Sequence, residues 1–259
     1  AHQVQTTLVL ASEIVSDPQV FAVMGHGNSS TAIPASAIYN EAGVLYISTH
    51  VSDVSLTNHG FDLVFSMQPN NAGIAAAISD FALTNDLTKF VILGDRSDFA
   101  RQLSKLFASY FAGNSQKKAT GEMVSGDILY KGLLDERGHS VNDLVMFLKE
   151  NEPRNLSDIQ AFFLVSERTQ KYAAFVKGAR DIGITAPIYG PDNLLEIVTF
   201  HSDLPSSDLN DIVALTIYDP NNNTSEAKRF RARYRESMSL KAGESAAIGY
   251  DAVSLLNYV

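Results

Sequence analysis

The chain contains no cysteine, so a disulfide, a thiolate metal site and a cysteine nucleophile are all excluded. Its histidines, His2, His26, His50, His59, His139 and His201, are scattered and form no HxxxH or HxH pair, so no metal-ligand spacing is present. No apolar run reaches the roughly twenty residues that cross a bilayer. The opening AHQVQTTLVLASEIVSDPQV has no charged region followed by an apolar stretch, hence no visible secretion signal. A surplus of positive charge is also missing: the net charge is −9 and the pI about 5.1, which argues against a surface that neutralises nucleic-acid phosphates. The densest basic cluster, KRFRARYR (228–235), has Glu226 and Glu236 beside it and reads as the solvated face of a helix. Neither a repeat beyond the βα unit nor a low-complexity stretch occurs.

Two motif absences bear on catalysis. GHGNSS (25–30) lacks the G-x-S-x-G spacing of a strained nucleophile turn, and its histidine precedes the serines within one loop, which leaves a hydrolase as the weaker alternative. The same stretch gives G-x-G after a strand without the third glycine of a dinucleotide fingerprint, and no phosphate-loop lysine follows. No cofactor is expected.

What is present is the composition of an ordinary globular protein, 45% hydrophobic and 19% charged over 259 residues, long enough for a large core or two lobes. Residues 20–57 organise it. VFAVMG (20–25) reads as a buried strand, the segment from Ala32 to Ala42 as a helix ended by Gly43, and VLYIS (44–48) as a second buried strand, a βαβ unit with parallel pairing. In open parallel sheets ligands sit beyond the carboxyl ends of the strands, which gathers Ser29, Ser30 and Thr31 with Thr49, His50 and Ser52 at one rim. Ser29 or Ser30 would cap the helix, leaving its first N–H groups beside a hydroxyl as a neutral cradle for a carboxylate. They can equally be caps and nothing more. His26 and His50 end adjacent strands and could approach each other.

The rest alternates as a doubly wound α/β fold should. A helix is expected over 2–15, strands at 61–67, 89–95, 159–166, 187–190 and 211–219, and helices over 72–87, 98–112, 141–151, 172–184, 225–238 and in AAIGYDAVSLL (246–256). GEMVSGDILYK (121–131) follows the 98–112 helix, with an irregular tail. Pro69-Asn70-Asn71 is a turn fit for a crossing between lobes and Asp219-Pro220 for the return, dividing the chain into lobe 1 (1–69 and 219–259) and lobe 2 (70–218).

GHGNSSTAIPASAIYNEAGVLYIST resembles the first-lobe signature of the periplasmic branched-chain amino-acid (leucine/isoleucine/valine) binding proteins of ABC transporters, the type I solute receptors. DVSLTNHGFDLVFSMQPNN (53–71), KFVILGDRSDFARQ (89–102), FVKGARDIGITAPIYGPDN (175–193) and AAIGYDAVSLL resemble later segments of that family, in the same order. The resemblance covers most of the chain and is weak from about 115 to 160. It implies two Rossmann-like lobes closing on a solute like a Venus flytrap, an extracytoplasmic location, soluble or lipid-anchored, and a membrane permease as partner. By that comparison the chain starts after a missing strand and ends inside a helix, so a fragment is expected. A sensing domain of a membrane receptor is the alternative on the same fold.

The resemblance also implies a site. Ser29, Ser52 and the backbone near Val51 would hold a ligand carboxylate, with Ser30 and His50 as further ligand-binding residues of that rim. Phe99 stands where the family usually has a tyrosine over the ligand, and Asp192 matches its acidic residue for the α-ammonium group. Each has a structural alternative: Phe99 as core, Asp192 as a turn residue. Arg168 is a departure, since it replaces an aromatic. It would hold a second carboxylate or pair with a neighbouring acid, and a guanidinium makes a branched apolar solute doubtful. The solute class is therefore an amino acid or similar small carboxylate.

Overall fold

Short runs rich in Val, Ile, Leu and Phe become strands here because each can bury both faces, and the longer amphipathic segments between them become the helices that do the covering. The computed structural model describes residues 2–113, 116–117, 123–151, 155–201 and 203–256. In chain order the elements are α1 (His2–Val15), β1 (Ala22–Gly25), α2 (Ser29–Glu41), β2 (Leu45–Ser48), β3 (Val64–Ser66), α3 (Asn71–Thr84), β4 (Lys89–Gly94), α4 (Asp98–Gly113), β5 (Gln116–Lys117), β6 (Met123–Val124), β7 (Asp127–Leu133), α5 (His139–Glu150), β8 (Ala161–Val165), α6 (Thr169–Asp181), β9 (Ile188–Pro191), α7 (Glu196–Phe200), β10 (Ile212–Leu215), α8 (Ser225–Met238) and α9 (Glu244–Leu256). By contact density they fall into unit 1, Ala1–Asn70 with Thr216–Val259, and unit 2, Asn71–Leu215.

Unit 1 carries a parallel sheet of order β1-β2-β3. Its core joins Ala11 of α1 and Ala32, Ala35 and Tyr39 of α2 to Tyr46, Val51, Leu56 and Val64. Helix α2 stops at Ala42, and Gly43 follows with φ 74°, the left-handed step that a helix end favours glycine for. VFAVMG, read as a buried strand, is a four-residue outer strand with Phe21 71% and Met24 40% exposed. The cause lies in the strand order: β2 pairs on both sides, β1 on one. The basic cluster falls on α8 as expected, with Phe230 buried and Lys228, Arg229, Arg233 and Arg235 exposed.

Unit 2 is a five-stranded sheet, order β10-β9-β8-β4-β7, every neighbouring pair parallel. The two-residue period of a strand sorts its side chains between two cores. Val91, Leu93, Phe162 and Leu164 face α5 and α6, while Phe90, Ile92, Ala161, Phe163 and Val165 face α3 and α4. Phe163 stacks on Phe107 with ring centroids 4.2 Å apart.

GEMVSGDILYK, to which the sequence assigns no element type, supplies residues 127–131 of β7, the edge strand beside β4, and the first residues of the tail expected to be irregular continue that strand to Leu133. Asp127, Lys131 and Leu133 are exposed, so it lacks the continuous apolar density that marks β8 in the sequence. Asn71, read as a turn residue, opens α3 and is buried, its Nδ2 donating to Gln102 Oε1 at 2.6 Å. The strand expected over 211–219 is confined to Ile212–Leu215. Residues 118–122 and 152–154, parts of segments read above, lie outside the described residues.

Candidate functional site

The carboxyl ends of β1, β2 and β3 share one rim of unit 1 because the strands are parallel and in register. After β1 the backbone turns sharply: Gly25 has φ 135° and His26 φ 50°. His26 tolerates the left-handed conformation while its Nε2 pairs with the Tyr39 hydroxyl at 3.1 Å, and Tyr46 donates its hydroxyl to Gly25 O at 2.8 Å. Burial lowers the His26 pKa below the ordinary imidazole value.

The cap of α2 is Asn28, neither Ser29 nor Ser30. Its Oδ1 accepts from Thr31 N at 3.3 Å, Ser30 Oγ at 3.0 Å and Thr31 Oγ1 at 2.8 Å. An Asn side chain reaches the N3 amide from the extended residue before the helix, whereas Ser29 and Ser30 already lie within its first turn. Ser29 is half-buried and Ser30 exposed.

His26 and His50 do not pair. His50 bonds through Nδ1 to Thr49 Oγ1 at 2.8 Å and through Nε2 to Ser245 Oγ at 2.9 Å, so it ties the end of β2 to the first turn of α9. Val51 is a core residue, 2% exposed, and its carbonyl accepts from Ser66 Oγ at 3.4 Å. Ser52 is buried beside it. A hollow of about 440 Å3 opens at these strand ends, lined by Val51, Asp53, Thr57, Ser66, Gln68 and Asn70.

In unit 2 the strand order has the form 2-1-3-4-5 of a doubly wound sheet, with β4 and β8 at the point where the winding reverses. Beyond β4 lies Asp95, a carboxylate to which the sequence reading assigned no role. Its Oδ1 accepts from Ser97 N at 2.9 Å and Ser97 Oγ at 2.5 Å, and its Oδ2 from Ser166 Oγ at 2.7 Å and Lys171 Nζ at 3.1 Å. Burial alone would raise its pKa, but those hydrogen bonds together hold it below the usual carboxylate value. The Tyr172 hydroxyl accepts from Ser166 N at 2.7 Å and reaches Ser166 O at 2.9 Å and Asn193 Oδ1 at 3.1 Å. Asn193 Nδ2 donates to Ser166 O at 2.8 Å. Ser166 therefore fastens the ends of β4, β8 and β9 together. Asp95-x-Ser97 directly after an apolar run is a readable turn signal; the contribution of Tyr172 and Asn193 is long-range and has none.

Phe99, Arg168 and Asp192 all lie on that rim, after β4, β8 and β9. Phe99 is half-buried against the α3/α4 core. Arg168 pairs with Glu136, Nη1 to Oε1 2.7 Å, through side chains 66% and 46% exposed, which is the neighbouring-acid alternative. Asp192 is exposed and begins a 3-10 turn that runs into α7. Glu167 and Glu196 share its rim; the carboxyls of both are raised, first by burial, then by Asp95 and Asp98 for Glu167 and by Asp192 for Glu196. The rim of unit 2 carries Glu167, Asp192 and Glu196 beside Arg168 and Lys171, and that of unit 1 is rich in hydroxyls, with Asp53 the charged residue in its hollow. Among the described residues no cluster of His, Asp and Glu is arranged to hold a metal ion.

The sequence pattern of the family described as "periplasmic binding protein" matches residues 1–135, just over half of the chain. The chain belongs to that family. A curated relative, "amino acid binding protein" from Pseudomonas aeruginosa, is 24% identical over 135 residues, 51% of this chain and 33% of its own length. Among solved structures, an ABC transporter substrate-binding protein from Desulfitobacterium hafniense in complex with leucine superposes with a TM-score of 0.78 at 21% identity, over 98% of this chain and 68% of that one. The branched-chain amino acid transporter substrate-binding protein LivJ from Streptococcus pneumoniae, in complex with isoleucine, gives 0.73 at 22% identity over 97% and 67%. A solute-binding protein from R. palustris in complex with benzoate gives 0.73 at 16% over 97% and 65%. These periplasmic binding proteins share its α/β fold of parallel sheets. Among the described residues no helix is long and apolar enough to cross a membrane.

Proposed function

We propose that this periplasmic binding protein takes up a small carboxylate-bearing solute, an amino acid first among them, for an ABC transporter, and does so outside the cytoplasm and without catalysis. The observation that carries the reading is the contrast in chemistry between the two rims. In unit 1 the first turn of α2, Ser29, Ser30, Ser52 and the backbone at Val51 offer donors with no cation among them, which suits a carboxylate recognised by N–H and O–H groups. In unit 2 Asp192 stands among Glu167 and Glu196, which suits an ammonium group.

Family membership supports the role, and the bound leucine and isoleucine of the two amino-acid-binding structures support the solute class. The benzoate complex keeps other carboxylates in view. Arg168 is engaged by Glu136 and is not needed for a second carboxylate. The partner implied is a membrane permease that reads the liganded state, with no nucleic acid involved.

The test is a thermal-shift screen of amino acids and small carboxylates, because a molecule that binds the folded state alone raises the melting temperature. A response to amino acids that is lost in Asp192→Ala supports the reading. A response confined to carboxylates without an amine removes the ammonium site and leaves Asp192 a turn residue.

A further inference from the structure

Beside the rim of unit 2, between α4, β4 and β7, is a second hollow, about 300 Å3, whose charge runs against that of the molecule. The chain carries −9 overall. This hollow is lined by Arg101, Lys105 and Lys131, together with Ser104, Gly94 and Gly132. Asp95 is the one acid in its wall, and both of its oxygens are already engaged by Ser97, Ser166 and Lys171.

The donors of the hollow are differently placed. Arg101 is partly committed, since its guanidinium bonds to Asp98 and to Arg96 O. Lys105 and Lys131 have neither an ion pair nor a hydrogen bond among the described residues, though one stands on a helix and the other on a strand across the same space. The Ser104 hydroxyl is fully enclosed and has no hydrogen-bond partner. It lies over the backbone of β4 at Gly94, where an added Cβ would stand 2.9 Å from it, so glycine there is what lets the hydroxyl sit against the strand. Arg101 and Ala100 belong to the first turn of α4, a sixteen-residue helix whose amino end adds positive potential.

We propose that this hollow is a binding site for a small oxyanion of at least two negative charges, with Lys105 and Lys131, both exposed at its wall, as the charge partners. Two ammonium groups on one hollow, from a helix and a strand, favour a doubly charged ligand over a monocarboxylate, because each can pair with its own oxygen. The site is separate from the solute rim and does not depend on the amino-acid reading.

Inorganic phosphate, titrated by calorimetry into the whole chain in a phosphate-free buffer near pH 7.5, is the probe, with acetate as the monovalent comparison. The expected result is saturable binding at least several-fold tighter for phosphate than for acetate. Lys105→Ala with Lys131→Ala weakens it tenfold or more. Asp192→Ala leaves phosphate binding unchanged. Equal affinity for phosphate and acetate, or unaltered phosphate binding in the double lysine variant, overturns the proposal. A protein that binds phosphate but no amino acid would remove the solute reading and leave this site standing.

Discussion

Ser166 Oγ donates to Asp95 Oδ2 at 2.7 Å, a hydrogen bond between two side chains that are both buried and that follow adjacent strands where the winding of the sheet reverses. A crevice forms at such a reversal because the connections leave to opposite sides. Two loops bordering a crevice have few neighbours to hold them, and this bond, extended by Lys171, Tyr172 and Asn193, fixes their spacing. The network is thus a support for the rim that carries Phe99, Arg168 and Asp192.

Replacing Asp95 by Ala strands the Lys171 ammonium, which is 18% exposed, and the Ser166 hydroxyl, and should cost unit 2 about 2–4 kcal/mol. Because the folded-state pKa of Asp95 lies below its unfolded value, its contribution is present above the ordinary carboxylate pKa and is lost as pH falls through the folded one. Urea denaturation at pH 7 and at pH 3 should show the cost of Asp95→Ala shrinking at the lower pH.

Tyr172→Phe removes a hydroxyl that bonds to both the N–H and the carbonyl of Ser166 and to Asn193. The ring is fully buried and still fits, so the loss should be on the order of 1–3 kcal/mol, from groups left unsatisfied. Denaturant unfolding monitors it.

In unit 1, His26 should report pH. Burial depresses its folded-state pKa below 6.5, so the fold favours the neutral ring: its stability contribution is present above that value and is lost as pH falls through the folded pKa. His26→Gln should flatten the fall in melting temperature between pH 7 and pH 5 relative to the unmodified chain.

How much of this could be read beforehand differs between elements. β8 was plain, because AFFLV has the continuous apolar density of a central parallel strand and is buried on both faces. α8 was plain too, with Thr224 capping its start as an N-cap residue should. β7 was not: an edge strand half-open to water has the composition of a loop. At the site, the rims could be placed from strand ends and turns, yet which residues serve as supports could not. Asn28 displaced the serines as the cap, Val51 proved a core residue, and Arg168 turned to Glu136, thirty-two positions away in sequence. Ser166, Tyr172 and Asn193 meet only after three strands have paired, so no local pattern announces them.

Arg168→Ala removes an ion pair between two largely exposed side chains, which solvent screens, so the pair adds little to stability. Its melting temperature and its affinity for an amino acid should both stay close to those of the unmodified protein. A large loss of affinity would show that the guanidinium leaves Glu136 for the ligand.

The most direct measurement is calorimetric titration of an amino acid that the screen identifies into the unmodified chain and into Asp192→Ala. An ammonium left without its carboxylate should weaken binding by ~2 kcal/mol or more, about thirtyfold in the dissociation constant. An affinity that does not change in the variant would contradict the assignment of Asp192 and with it the zwitterion-binding account.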